Sequence, residues 1–68
     1  MKYMHSRLAI DICMISQKTT KDVYLKKGFI QVDAKSVLGV MSLVDLEDTE
    51  VITQDEEIKQ KIKKILEG

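Results

Sequence analysis

His5 and Arg7 are residues of this 68-residue chain that could do chemistry together, and they lie in the stretch MHSRLA at positions 4–9. His5 is the single histidine, and near neutral pH a substantial fraction of an imidazole is unprotonated and can act as a nucleophile. Arg7 adds a cation that can pair with an anion. The alternative is that a lone histidine near a terminus is a solvated side chain without a chemical role.

A helix is predicted from residue 6 to about residue 17, and this helix must position His5. Ile10 and Met14, four residues apart, form an apolar line that a helix buried on one side does not need. The helix is therefore either buried on two sides or carries an exposed apolar face. The buried face is predicted from apolar residues that recur at helical spacing: Leu8, Ala9, Ile12, Cys13 and Ile15.

The middle of the chain predicts a β-hairpin followed by a short helix. Apolar residues alternate on both sides of a Lys-Lys-Gly corner, where Gly28 supplies a positive φ. After the hairpin, Ser36 is a good N-cap for a helix of at most about two turns, which Gly39 weakens. The apolar residues of that short helix are Val37, Leu38, Val40 and Met41.

The final part of the chain predicts a strand at residues 50–53 and then a third helix. Thr53 and Glu56 have the spacing of a capping box at the start of this helix. The order helix, strand, strand, short helix, strand, helix predicts an α+β fold, in which three helices cover one face of an antiparallel β-sheet. The apolar stripe of the third helix consists of Ile58, Ile62, Ile65 and Leu66.

Composition limits the classes of protein to which the chain can belong. Its length supports a single domain, residues 1–68. Eleven acidic residues balance eleven basic ones, so a surface for nucleic acid is not expected. Cys13, the single cysteine, can form neither an internal disulfide nor a zinc site, and we expect it to be buried. We expect no membrane span, no metal and no cofactor, and a reducing, cytoplasmic location.

Two motifs resemble the HPr family, the phosphocarriers of the bacterial sugar phosphotransferase system. They are MHSRLA at the start of the first helix and VDAKSVLGVMSL after the hairpin. Both fall at the family's relative spacing, so one gapless alignment covers residues 4–43. The chain departs from the family pattern at Ser6 and at Leu8. The resemblance implies an HPr-like open-faced sandwich, with an antiparallel sheet covered on one face by three helices.

The resemblance also implies that the family's first strand is largely missing, because only residues 1–4 precede His5. In the family that strand pairs with the last one, so residues 50–53 are expected to form an exposed sheet edge. Such an edge can add a strand from a second copy, or exchange an N-terminal segment with it. We therefore expect a homodimer, and a truncated start of the chain is the alternative.

On this resemblance, His5 is the phosphoryl acceptor and Arg7 is a movable cation beside it. His5 takes the group from a phosphohistidine on enzyme I and passes it to a sugar-specific IIA protein. The phosphate then lies over the backbone N–H groups of Ser6, Arg7 and Leu8. Leu8 replaces the family's proline, which has no N–H, so the geometry of the phosphate is expected to differ. Such a protein carries a phosphoryl group and catalyses nothing alone.

Ser36 matches the serine that an ATP-dependent HPr kinase phosphorylates in Gram-positive relatives, and a helix N-terminus tolerates the added charge. The charge would act on the docking of partners, among them a catabolite-control regulator. Ile10 and Leu38 are expected to be the most exposed residues of the partner surface, and core packing is the alternative. The resemblance predicts this surface near His5, from Ile10, Met14, Val37, Leu38 and Met41.

Three functions are compatible with these observations. The first is an HPr-like phosphocarrier that relays phosphoryl groups through His5 and carries a regulatory serine, Ser36. The second is a Crh-like regulatory binding module in carbon catabolite repression, with no transfer through His5. The third is a structural domain that has lost both phosphorylation roles and only dimerises. Retention of His5 with Arg7 favours the first, whereas the short N-terminal segment and Leu8 favour the other two.

Overall fold

The computed structural model describes residues 3–68, so residues 1 and 2 of the predicted N-terminal segment lie outside the described part. The predicted order of elements is confirmed. Within residues 3–68, no helix combines the length and the apolar character needed to cross a bilayer. The elements are α1 (Ser6–Ser16), β1 (Val23–Lys27), β2 (Ile30–Asp33), α2 (Val37–Met41), β3 (Thr49–Thr53) and α3 (Glu56–Glu67).

The sheet has three antiparallel strands in the order β2-β1-β3. β1 and β2 form the predicted hairpin, in which Lys27 pairs with Ile30 and Gly28 has a φ of 61°. Glycine adopts this left-handed conformation without steric cost, so the turn can be tight. β1 also pairs with β3, in a register that sets Leu25 opposite Val51. β1 is therefore the central strand that joins the sheet.

The core lies between one face of the sheet and the helices. Side chains alternate along β1, so Val23 and Leu25 are buried while Lys26 is exposed. Because the helices cover one face of an antiparallel sheet, the predicted α+β fold is confirmed. The core residues from α1, α3 and β3 are Leu8, Ala9, Ile12, Ile58, Ile62 and Val51.

The two apolar lines of α1 have different surroundings. Leu8 and Ile12 belong to the core, whereas Ile10 and Met14 are exposed. Burial of one helix face in the core leaves the other line in solvent, because residues at these positions point in different directions around the helix. Of the two alternatives left by the sequence, α1 carries an exposed apolar face.

The capping box predicted at the start of α3 is wrong. Thr53 still belongs to β3, where it pairs with Val23, so it cannot cap a helix that begins at Glu56. Asp55 is the N-cap, and its Oδ1 accepts a hydrogen bond of 3.1 Å from the Ile58 N–H. The Thr53 hydroxyl instead accepts a hydrogen bond from the Asp55 N–H. The strand thus extends through the position where the cap was predicted.

The segment before α1 is held against the loop between α2 and β3. Tyr3 forms an isolated antiparallel bridge with Asp45, and the Met4 N–H donates to the Val44 carbonyl at 3.1 Å. Lys27, at the end of β1, forms an ion pair of 2.7 Å with Asp45. These contacts place the start of α1 at the same end of the molecule as the end of β1.

The outer edge of β3 is free within residues 3–68, because its one strand neighbour there is β1. β3 begins at Thr49, one residue earlier than predicted. The backbone N–H and C=O groups of an unpaired edge can pair with another strand. The described structure therefore has the exposed edge that the sequence predicts.

The N-cap of α3 makes stability depend on pH. The hydrogen bond from the Ile58 N–H, one from the Thr19 side chain and the charge of Lys21 lower the pKa of Asp55 below its ordinary value of 3.8. A carboxyl group whose pKa is lower in the folded state stabilises the fold at pH values above the ordinary pKa. This stabilisation is lost as the pH falls through the lowered pKa.

We expect Asp55→Ala to lower the melting temperature at about pH 7, because α3 loses its capping carboxylate. As the pH falls through the lowered pKa of Asp55, the carboxyl group becomes protonated, so the melting temperatures of wild type and variant should converge. Thermal unfolding followed by circular dichroism measures both. Glu56→Ala is the control, because the Glu56 side chain accepts a hydrogen bond from Gln60 further along the helix. An equal or larger loss in Glu56→Ala would contradict the Asp55 cap.

Candidate functional site

His5 is the N-cap residue of α1. Its backbone is extended, with φ −144° and ψ 168°, and its carbonyl accepts a hydrogen bond of 3.0 Å from the Ala9 N–H. The imidazole is exposed, and its Nδ1 accepts a hydrogen bond of 3.3 Å from the Leu8 N–H. N-cap side chains usually accept from the second or third helical residue, and Leu8 is the third. The imidazole takes the place of the usual hydroxyl or carboxylate cap.

The residues on both sides of His5 hold it in place. After it, Leu8 and Ala9 are buried and anchor the first turn of α1 in the core. Before it, Met4 is hydrogen-bonded to the Val44 carbonyl. A fixed backbone therefore supports an exposed side chain, which suits a group that must meet other molecules.

The ion pair between Lys27 and Asp45 supports this arrangement, and sequence reasoning missed it. The hydrogen bond from Lys27, followed by one from the Glu47 N–H, lowers the pKa of Asp45 below 3.8. Lys27 also donates to the Glu47 carbonyl. The loop that carries Val44 is thus bound to the end of β1 by the ion pair, and Met4 is hydrogen-bonded to that loop. Lys27 and Asp45 belong to different elements, so no local pattern reveals the pair.

Arg7 lies on the first turn of α1, and its Nε is 3.4 Å from Oδ1 of Asp11. From the sequence it was expected as a movable cation, and Asp11 was not recognised as its partner. The i, i+4 spacing of the two residues is the signal that could have revealed the pair. Both side chains are solvent-exposed, and exposed pairs of this kind are weak. The guanidinium can therefore leave Asp11 for a stronger anion at the start of the helix.

The residues of the predicted partner surface are all exposed, which excludes core packing as their common role. Leu38 is the most exposed of them, at 85%, as expected. Met14, at 61%, is more exposed than Ile10, at 42%, contrary to expectation. The unbranched Met14 side chain extends further than β-branched Ile10. We term this surface the α1–α2 patch, since it spans two helices in contact: Ile10, Met14, Val37, Leu38 and Met41.

Val44 and Phe29 are exposed apolar residues that sequence reasoning missed. Val44 follows α2, and Phe29 is fully exposed in the hairpin turn beside Gly28. The signal for Val44 is an apolar run that continues past the short helix. The signal for Phe29 is an aromatic residue in a turn, where burial is rare.

Ser36 is the N-cap of α2, as predicted, and its Oγ accepts a hydrogen bond of 3.1 Å from the Gly39 N–H. The preceding residue, Lys35, accepts at its carbonyl a hydrogen bond of 3.0 Å from the Cys13 Sγ, so Ser36 lies near the second half of α1. At 1.5 Å per residue, His5 and Cys13 are about 12 Å apart along the helix. The two candidate phosphorylation positions are therefore separate sites.

The chemistry available at the site is that of His5 alone. Cys13 is buried, as expected, and its sulfur also accepts a hydrogen bond of 3.2 Å from Gln17 Nε2. In the described part of the chain, no three His, Cys, Asp or Glu side chains cluster as a metal site requires. What remains is an exposed imidazole at a helix N-terminus, near a weakly paired guanidinium, which can form and release a covalent bond to an anionic group.

Known proteins share this architecture. A crystal structure of Crh, described as the catabolite repression containing protein of Bacillus subtilis and as a swapped, intertwined dimer, matches with a TM-score of 0.85. The two sequences are 27% identical, and the match covers 97% of this chain and 82% of the Crh chain. The HPr dimer from Thermoanaerobacter tengcongensis has the same fold, with a TM-score of 0.67 and 23% identity over 93% of this chain and 74% of that one. No curated protein matches the chain.

A sequence model of a protein family shows to which family the chain belongs. The model described as the PTS HPr component phosphorylation site, where PTS is the phosphotransferase system, matches residues 2–67. This match covers nearly the whole chain, and the fold agrees with those of the HPr and Crh structures. The HPr-like interpretation of the two sequence motifs is therefore confirmed, and the chain belongs to the HPr family of the phosphotransferase system.

Proposed function

We propose that this chain is an HPr-like phosphocarrier of the phosphoenolpyruvate-dependent sugar phosphotransferase system. In this function His5 accepts a phosphoryl group from a phosphohistidine on enzyme I and passes it to a sugar-specific IIA protein. The observation that carries the proposal is the position of His5, an exposed imidazole at the N-cap of α1 in a chain of the HPr family.

The N-terminus of α1 supports a negatively charged group on His5. The first N–H groups of a helix lack helical acceptors, and the helix dipole makes this end positive. The first turn of α1 contains no acidic residue, so it adds no like charge beside a phosphoryl group. Arg7 can exchange its exposed pair with Asp11 for contacts to phosphate oxygens, which bind a guanidinium strongly.

The α1–α2 patch is the docking surface for enzyme I and IIA proteins in this proposal. Contiguous exposed apolar surface is unusual on a small monomer and typically marks an interaction site. Ile10 and Met14 lie on the same helix as His5, about 8 Å and about 14 Å from it along the helix axis, so a partner that covers them contacts the helix that carries the imidazole. An apolar centre within a polar rim is also the usual composition of protein interfaces.

A Crh-like regulatory role in carbon catabolite repression is the second candidate. Two observations favour it: the similarity to Crh, and the hydrogen bond that already engages Nδ1 of His5. In this role an HPr kinase phosphorylates Ser36, and a catabolite-control regulator is the partner. A phosphate on Ser36 places negative charge beside Val37 and Leu38, and so changes what can dock on the α1–α2 patch.

A homodimer accompanies either function in our proposal. Both similar structures are described as dimers, and that of Crh as swapped. Within residues 3–68, the outer edge of β3 has no strand beside it, so its backbone groups can pair with a strand of a second copy. Ile52 lies on β3 and is exposed, which adds apolar surface at this edge.

Phosphorylation assays separate the two functions. With phosphoenolpyruvate and enzyme I, the phosphocarrier should gain acid-labile phosphate on His5, and a IIA protein should remove it. With ATP and HPr kinase, acid-stable phosphate is expected on Ser36. Mass spectrometry under neutral conditions locates each group. His5→Ala and Ser36→Ala are matched controls, and each should lose only its own label.

The assay has outcomes that contradict the proposal. If enzyme I phosphorylates a known HPr but leaves His5 unlabelled, the carrier function is wrong. Label on Ser36 alone then supports the regulatory role. Label on neither residue supports a domain that only dimerises.

We expect Leu38→Glu to reduce kcat/KM for phosphoryl transfer from enzyme I by about tenfold or more, because it places a charge at the most exposed apolar position of the patch. Phe29→Glu is the control, since Phe29 is also apolar and exposed but lies in the hairpin turn. Steady-state kinetics and circular dichroism on both variants test this. Equal losses in the two variants would show that the α1–α2 patch does not dock enzyme I.

We expect Ile52→Lys to weaken the dimer by roughly tenfold, because a lysine on an edge strand discourages strand pairing. Ile30→Lys is the matched control, since Ile30 is an exposed isoleucine on β2, the strand at the opposite edge of the sheet. Sedimentation velocity from about 10 µM to about 1 mM measures the dissociation constant. A wild-type protein that stays monomeric, or a larger effect of Ile30→Lys, would contradict the β3 interface.

A further inference from the structure

The hydrogen bond between the Leu8 N–H and Nδ1 of His5 determines where the imidazole keeps its proton. A neutral imidazole has one nitrogen with a proton and one with a lone pair in the ring plane. Because Nδ1 accepts the Leu8 N–H at 3.3 Å, the proton of the neutral ring is on Nε2. The single in-plane lone pair of His5 is thus the one that caps α1.

The same lone pair is needed to form a bond to phosphorus. We propose that the Leu8 amide is a positioning group that holds His5 in a resting state. In this state the nucleophilic lone pair accepts the Leu8 N–H, and phosphoryl transfer requires that this hydrogen bond breaks first. This inference rests on the proposed function of His5. It assigns to position 8 control over the rate at which the imidazole reacts.

Transfer begins when the hydrogen bond between the Leu8 N–H and Nδ1 of His5 breaks. The Nδ1 lone pair forms the new bond to phosphorus, while the bond from phosphorus to a nitrogen of the donor breaks. The leaving nitrogen keeps that electron pair and takes up a proton. Nε2 of the phosphorylated ring can then release its own proton to solvent. The donor is of the phosphoramidate class, which includes a phosphohistidine and the small molecule phosphoramidate.

The expected size of the effect follows from the strength of one hydrogen bond. A typical intramolecular hydrogen bond in a protein changes a population ratio by roughly two- to tenfold. The fraction of His5 with a free lone pair is reduced by this factor, and so is the rate of reaction with a small donor that makes no other contacts. Removal of the Leu8 N–H should raise the rate by the same factor.

Leu8→Pro removes the N–H and Leu8→Ala retains it, and both remove a buried leucine side chain from the core. Proline is tolerated in the first turn of a helix because its missing N–H has no helical acceptor there. The pair of variants therefore separates the loss of the hydrogen bond from the loss of packing. Since the chain has 68 residues, chemical synthesis can also replace the Leu8 amide by an ester, which keeps the side chain.

The rate of phosphorylation by potassium phosphoramidate should be roughly two- to tenfold higher in Leu8→Pro than in Leu8→Ala. In ¹⁵N NMR of the wild type, the proton of the neutral ring should be on Nε2. The Nδ1 resonance should move towards that of an unbonded nitrogen in Leu8→Pro and stay in place in Leu8→Ala. The ester protein should behave like Leu8→Pro, and it replaces that variant if the proline prevents folding.

Equal rates in Leu8→Pro and Leu8→Ala, absence of label on every variant, or a proton on Nδ1 of the wild type would overturn the inference. The reaction with phosphoramidate does not involve enzyme I. A wild-type protein that is labelled by phosphoramidate but not by enzyme I therefore refutes the carrier function, and the comparison of rates still decides the role of Leu8.

Discussion

The burial of one face of α1 in the core is the interaction on which the site depends. A chain of 68 residues has few side chains for a core, and α1 supplies Leu8, Ala9 and Ile12. Burial of these positions fixes the rotation of the helix about its axis. The same rotation leaves Ile10 and Met14 in solvent, so the exposed apolar patch follows from the way the core is filled. It also anchors the turn that carries His5 at the surface.

Most of the fold could be predicted because the deciding signals are local. The helical spacing in α1, the glycine in the hairpin turn and the cap at Ser36 each involve residues that are close in the sequence. The cap of α3 was predicted wrongly for the opposite reason. Thr53 has the right spacing to Glu56, but its pairing with Val23 in the sheet keeps it in β3. Local spacing cannot report a contact made by a distant strand.

The place of the candidate site residues in the fold was predictable, and their contacts were not. The motif around His5 indicated a histidine at a helix N-terminus, and the structure has it as the N-cap. The motif could not indicate that Nδ1 accepts a hydrogen bond from Leu8, because this depends on the side-chain conformation of the histidine. The ion pair between Lys27 and Asp45 also depends on the tertiary contact between a loop and the end of a strand. The sequence indicates which residue types are present, whereas the orientation of the side chains of His5, Lys27 and Asp45 is known only from the structure.

The proposed dimer interface at β3 and the α2 residues of the α1–α2 patch lie at opposite edges of the sheet. In the sheet order β2-β1-β3, α2 contacts β2 at one edge, whereas α3 contacts β3 at the other. A second copy added at β3 extends the sheet on the α3 side and leaves the patch open. A copy added at β2 would instead lie beside α2 and restrict access to Leu38. Pairing through β3 is therefore the arrangement in which each protomer of a dimer can still present the α2 residues of its patch to a partner.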